Sequence, residues 1–251
     1  MTAPNDADLT IPARFRGPAK SGNGGYTAGS LAARVLGGAE PVAVEVTLRQ
    51  PPPLDVAMTV QQPEADDETW LLMAGGRIAE ARVVDVELDP VATVDASEAK
   101  AAETGFPGLR EHPFPTCFAC GTARAEGDGM RIFPGPVGGR MAALWTPDGS
   151  LVDHHELSRE PARVGLGPAW AALDCIGGWA GDMEGRKMVL GRMTAQVGIL
   201  PAVGEPHVVM GRSLGQQGRK TFTASTLYDA DGRVVARAQH VWIEIDPNAF
   251  N

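Results

Sequence analysis

"PAWAALDCIGGWAG", residues 168–181, is apolar on nearly every side of a helix and carries one carboxylate, Asp174, at its centre. A helix apolar all round has no face to offer to water, so it must be enclosed, and a sheet curved around it is one such enclosure. The residues C-terminal to the helix supply that sheet. "MVLGRMTAQVGILP" (188–201), "PHVVMGRSLG" (206–215), "KTFTASTLYD" (220–229) and "RVVARAQHVWIEID" (233–246) read as strands split by turn residues. Asp231-Gly232 joins the last two as a hairpin. "GRMAALWTPD" (139–148) supplies one more strand ahead of the helix.

The same order occurs earlier. "ARFRG" (13–17) reads as a short strand, "PAKSGNGG" (18–25) as a loop, and "YTAGSLAARVL" (26–36) as a helix of small residues stopped by Gly37 and Gly38. "PVAVEVTLRQP" (41–51) alternates Val42, Val44, Val46 and Leu48 with Ala43, Glu45, Thr47 and Arg49, the period of a half-buried strand. "LDVAMTVQQP", "TWLLMAGG" and "RIAEARVVDVEL" continue the sheet. Strand, buried helix and four antiparallel strands thus appear twice. Between the copies runs a segment with a short polar helix at its front and many Pro and Gly at its back, too patterned for a plain linker.

At 251 residues the chain can bury a sizeable core, and 43% hydrophobic with 21% charged residues are globular values. A net charge of −9 argues against nucleic acid or an anionic membrane as partner. No stretch approaches the roughly 20 apolar residues of a membrane span. The polar, acidic start "MTAPNDADLT" is no secretory signal, and three cysteines cannot all pair, so a cytoplasmic location is expected.

The arrangement resembles the hot dog fold, an α+β architecture in which an antiparallel sheet wraps one central helix. Two copies look like a double hot dog: repeat 1 over 10–95, a connecting segment over 96–138 and repeat 2 over 139–251. More narrowly, "HPFPTCFACG", "GDGMRIFPGPV" and "WAALDCIGGWA" are similar to actinobacterial proteins of the thioesterase superfamily. The resemblance implies an acyl-CoA or acyl-carrier thioester as substrate and no cofactor, and leaves a homodimer open.

In thioesterases of the phenylacetyl-CoA type a His-Gly-Gly or similar motif opens the central helix and polarises the thioester carbonyl, while a carboxylate on the partner helix attacks or activates water. "GNGG" stands at the start of the first helix, with Asn23 in the place of the motif's histidine, and Ala32 in the carboxylate position. The second helix has the reverse: Asp174 matches the carboxylate, and Pro168 contributes no N–H at the helix start. One composite site is therefore expected. Asp174 would be base or nucleophile, the N–H groups of Gly25 and Tyr26 the oxyanion donors, and Asn23 would hold the water or the thioester oxygen. The facing groups would stand on the order of 5–8 Å apart, leaving room for one carbonyl and one water. Against this, Asp174 can belong to a polar seam and "SGNGG" can be an ordinary glycine turn.

Gly24 and Trp170 are expected to line the substrate pocket, and Arg212, Arg219 and Lys220 to meet the phosphates of coenzyme A, unless that hairpin end is merely solvated. His154 and Asp153 stand in a loop before the second helix and can contact ligand or only water. "CFACG" places Cys117 and Cys120 at zinc-ligand spacing. Only one such pair exists, and His112 plus His154 or His155 could complete a set of four, but nothing local demands it. Buried structural thiols and no stoichiometric metal are therefore expected, with Cys175 in the core on another helix face. Two other functions compete with hydrolysis: a non-catalytic acyl-CoA or fatty-acyl binding protein, and a hydratase or dehydratase. The last wants an aspartate–histidine pair a few residues apart, and none stands near either helix.

Overall fold

The computed structural model describes residues 8–36, 42–63, 68–73, 75–152 and 161–246. Its strands are β1 (Leu9–Thr10), β2 (Ala43–Leu48), β3 (Ala57–Gln61), β4 (Glu68–Met73), β5 (Gly76–Val84), β6 (Gly135–Val137), β7 (Arg140–Trp145), β8 (Met188–Val197), β9 (His207–Gln217), β10 (Lys220–Tyr228) and β11 (Val234–Glu244). The α-helices are α1 (Gly24–Leu36), α2 (Ala96–Ala102) and α3 (Leu166–Ala180).

All eleven strands form one antiparallel sheet in the order β1-β3-β4-β5-β2-β8-β11-β10-β9-β7-β6. The seam is β2 against β8, with Val44 opposite Ala195 and Val46 opposite Met193. Outward from it the strands run β2, β5, β4, β3 on one side and β8, β11, β10, β9 on the other, so the order of one half repeats in the other. α1 packs on β2, β5 and β8, α3 packs on β8 to β11, and the helices touch each other, so both lie on one face. Their shared core takes in Leu31 and Ala32 of α1 and Trp170, Leu173 and Ile176 of α3. A smaller apolar cluster, with Ala99 of α2 against Ala142, Met210 and Ala224, is separate from that core.

The strand expected over 13–17 is not there. Ala13–Phe15 is a 3-10 turn, because Pro12 precedes it and the Phe15 N–H donates to the Pro12 carbonyl at 2.8 Å. The edge position belongs to Leu9–Thr10, paired with β3. α3 also begins earlier than expected, at Leu166, so Pro168 is its third residue rather than its first. That suits proline, whose missing N–H would have no helical partner there. Gly37 and Gly38 lie outside the described residues, as do Asp153, His154 and His155. Among the described residues, no helix is long and apolar enough to cross a membrane.

Beneath α3 sits a buried polar pair. The Nδ1 atom of His240 lies 3.1 Å from Thr223 Oγ1, which accepts from Trp242 Nε1 at 3.1 Å. Burial pulls the His240 imidazole down from its ordinary 6.5 to about 4. The unfolded chain therefore takes up a proton near pH 6.5 that the native state refuses until about pH 4. Stability from this group is full above pH 6.5 and is lost as pH falls through that window, by about 3 kcal/mol at most. Urea denaturation at pH 7.5 and 4.5 should show that loss in the wild type and a smaller one in His240→Asn. Equal losses in both would remove His240 from the acid sensitivity.

Candidate functional site

Asp174 lies where α3 meets α1, and is 2% exposed. Its Oδ2 accepts the Gly25 N–H at 2.8 Å, a bond that spans the two halves of the chain. Its Oδ1 is buried without a hydrogen-bond partner. Burial pushes the carboxyl up to about 7, against the opposing pull of the Gly25 N–H. An ordinary aspartate would ionise some three units lower.

The contact is close because glycines allow it. A Cβ on Gly25 would stand 2.8 Å from the Trp170 carbonyl oxygen and closer still to Asp174 Cβ. One turn on, a Cβ on Gly29 would stand 2.7 Å from Trp170 Cβ and 2.8 Å from the Leu166 carbonyl. Trp170 is thus a core residue of the helix–helix contact, 1% exposed, and it is not part of the cavity wall.

The expected gap of 5–8 Å between Asp174 and the start of α1 is therefore absent. Backbone meets backbone too closely there for a carbonyl and a water to stand between Gly25 and Asp174. The second expected donor is also engaged: Asn23 caps α1, its Oδ1 accepting the Tyr26 N–H at 2.8 Å. That is the ordinary work of an N-cap asparagine. The Tyr26 ring stacks on Phe15 at 3.9 Å. Gly24, the first residue of the helix, keeps an N–H with no partner among the described residues, and it lines the cavity.

That cavity, of about 320 Å³, opens beside Asn23, Gly24, Asp174 and Cys175. Arg219 is in its wall, with its guanidinium on the Glu244 carbonyl, whereas Arg212 and Lys220 are not in the wall. Arg212 pairs with Ala224 and Lys220 with Gln217, about four residues or ~14 Å apart along the strands. The three cations therefore do not converge on one point.

The connecting segment supplies a part of the site that the sequence leaves unmarked. Residues 112–121 pass over the start of α1, held by the Phe118 N–H on the Arg16 carbonyl at 2.7 Å. This carries Cys117 and Cys120 into the cavity wall, where they meet Cys175 of α3. Cys117 Sγ is 3.6 Å from Cys175 Sγ, and the three sulfurs lie within 4.8 Å of one another. Cys175 is in the core as expected, and the same core brings it against Cys117 and Cys120. α3 turns it toward the segment that crosses above, which no helical wheel of α3 alone could reveal. Asn23 Nδ2 contacts both Cys117 and Cys175 sulfurs at 3.7 Å. Hydrogen bonds from Cys120 and Cys175 hold the Cys117 thiol well below its ordinary range. His112 lies nearby with both ring nitrogens in use. Nδ1 accepts the Phe114 N–H at 3.0 Å and Nε2 stands 3.1 Å from the Cys120 carbonyl.

No protein-family model and no curated protein matches the chain. Solved structures do resemble it along nearly its whole length. A candidate thioesterase from Novosphingobium aromaticivorans aligns with a TM-score of 0.61 at 13% identity, covering 98% of each chain. The tesB protein of Mycobacterium avium subspecies paratuberculosis aligns at 0.57 and 14%, covering 95% of this chain and 91% of its own. A hot dog protein of unknown function from Alicyclobacillus acidocaldarius aligns at 0.56 and 11%, covering 96% and 93%. At such identities the likeness speaks for architecture alone: the chain has the hot dog fold.

Proposed function

We propose that the chain is a double hot dog, with repeats over 10–95 and 139–251, that hydrolyses an acyl thioester at one composite site between them. The observation that carries the reading is Asp174. A carboxylate of the second half is seated on the helix start of the first, with Oδ1 unpartnered beside the cavity. An unpartnered buried carboxylate oxygen costs stability, and such costs gather where chemistry is done. Ala32 offers no such group at the matching place in α1, so the pseudo-symmetric site has no base.

Asp174 Oδ1 takes a proton from a water as that water adds to the thioester carbonyl carbon. The Gly24 N–H, left free at the positive end of α1, stabilises the developing oxyanion. Gly25 takes the positioning role instead, holding the other carboxylate oxygen. The C–S bond then breaks, and the thiol leaves with the proton returned from Asp174. Arg219 in the cavity wall suits the phosphates of a coenzyme A or acyl-carrier thiol.

One observation favours a second reading, a non-catalytic acyl-CoA binder. The Gly25 N–H and Asp174 satisfy each other directly, as groups with a purely structural role would. A hydrolysis screen over acyl-CoA chain lengths, reading free thiol, separates the two. Release on at least one chain length supports the hydrolase, and tight binding without release replaces it with the binder.

A further inference from the structure

We propose that Cys117, Cys120 and Cys175 form a zinc site whose fourth position opens into the cavity beside Asp174. Two thiols come from one turn of the connecting segment and the third from α3, so the site exists only in the folded chain. Three thiolates on a tetrahedral zinc, with bonds of ~2.3 Å, stand about 3.8 Å apart. The observed sulfurs span that value, with one pair at 3.6 Å and all three within 4.8 Å.

The surroundings add a side-chain donor aimed at the cluster. Asn23 Nδ2 donates toward two of the sulfurs, those of Cys117 and Cys175, at 3.7 Å each. Donors aimed at sulfur favour its anionic form, and groups of this kind orient metal ligands from outside the coordination sphere. The turn itself is shaped for the purpose. Gly121 N–H closes it on the Cys117 carbonyl at 2.9 Å, and a Cβ there would lie 2.6 Å from the Cys117 nitrogen. Ordinary apolar packing of cysteines calls for none of this.

The fourth ligand is not His112, whose ring nitrogens are both occupied by backbone groups. All three cysteines line the cavity, so the remaining position faces open space that holds a water or an exchangeable donor. Three protein ligands and one open position is the arrangement of zinc sites that take part in chemistry, whereas closed four-ligand sites are structural. The expectation of no metal rests on a single cysteine pair, and the fold supplies the third thiol. Zinc is favoured over hard cations because the donors are soft sulfurs.

The test reads metal and not activity, so its failure is distinct from failure of the hydrolase reading. Reduced full-length protein is titrated with zinc in competition with a chromophoric chelator, then dialysed and analysed for metal. About one zinc per chain is expected, with affinity falling at least ~10²-fold in Cys117→Ser and in Cys175→Ser. Cobalt-loaded wild type, which needs no substitution, should show thiolate-to-cobalt charge-transfer absorption. No retained metal and no such band overturns the proposal. Retention unchanged in both variants also overturns it. Loss of two of the three free thiols in air, with no uptake by the reduced protein, would assign the cluster to a disulfide instead and overturn the zinc.

Discussion

Asp174→Asn should lower acyl-thioester hydrolysis by at least ~10²-fold while the protein stays folded and still binds acyl-CoA. Asparagine has the same shape and keeps one amide oxygen, which can accept the Gly25 N–H that Oδ2 accepts now at 2.8 Å. The contact between α1 and α3 therefore survives. What disappears is a group that can take a proton from water. The substitution also offers an amide N–H where a partnerless carboxylate oxygen stood, so any change in stability should be small beside the change in rate. Thiol release, calorimetry and acyl-CoA binding on the same preparation separate these effects. Full hydrolysis by the asparagine variant would remove Asp174 from catalysis. Loss of binding together with rate would make it a structural member of the cavity wall.

Gly29→Ala should destabilise the fold by about 2 kcal/mol, although alanine is the better helix former. The two effects oppose each other. Replacing glycine in a helix interior gains up to about 1 kcal/mol from propensity. The added methyl group, however, would stand 2.7 Å from Trp170 Cβ and 2.8 Å from the Leu166 carbonyl, atoms that cannot rotate away. Overpacking of this kind costs roughly 1–3 kcal/mol, and a backbone obstacle puts it at the upper end. For a chain of this size the net corresponds to a melting temperature lower by ~4–8 °C. Gly149→Ala is the control, since a Cβ there meets nothing within 4 Å. A Gly29→Ala protein as stable as wild type would mean that α1 and α3 separate at little cost. The close seating of Asp174 on Gly25 would then lose its physical basis.

By itself the sequence determined most of the strands and the enclosed helix, though not the 3-10 turn at Ala13–Phe15. Alternation in 41–51 marks a strand because a sheet with one buried face imposes period two, and turn residues divide 188–246 into further strands. The uninterrupted apolar surface of 168–181 marks an enclosed helix because no solvent face is left to it. Asp174 is legible for the same reason, a charge where every neighbour asks for an interior. Only the tertiary structure decided what that charge touches. In the sequence the glycines of α1 read as a donor-rich turn, but their missing side chains let two helices close to within one hydrogen bond, and that closure moves the free amide from Gly25 to Gly24. Likewise Cys117 and Cys175 are separated by 58 positions and lie 3.6 Å apart. Spacing in the chain reports neighbours along a helix or turn, and it carries no record of which segment crosses above them. The thiol cluster depends on the path of residues 112–121 over the start of α1, a path set by packing between elements and by no local periodicity.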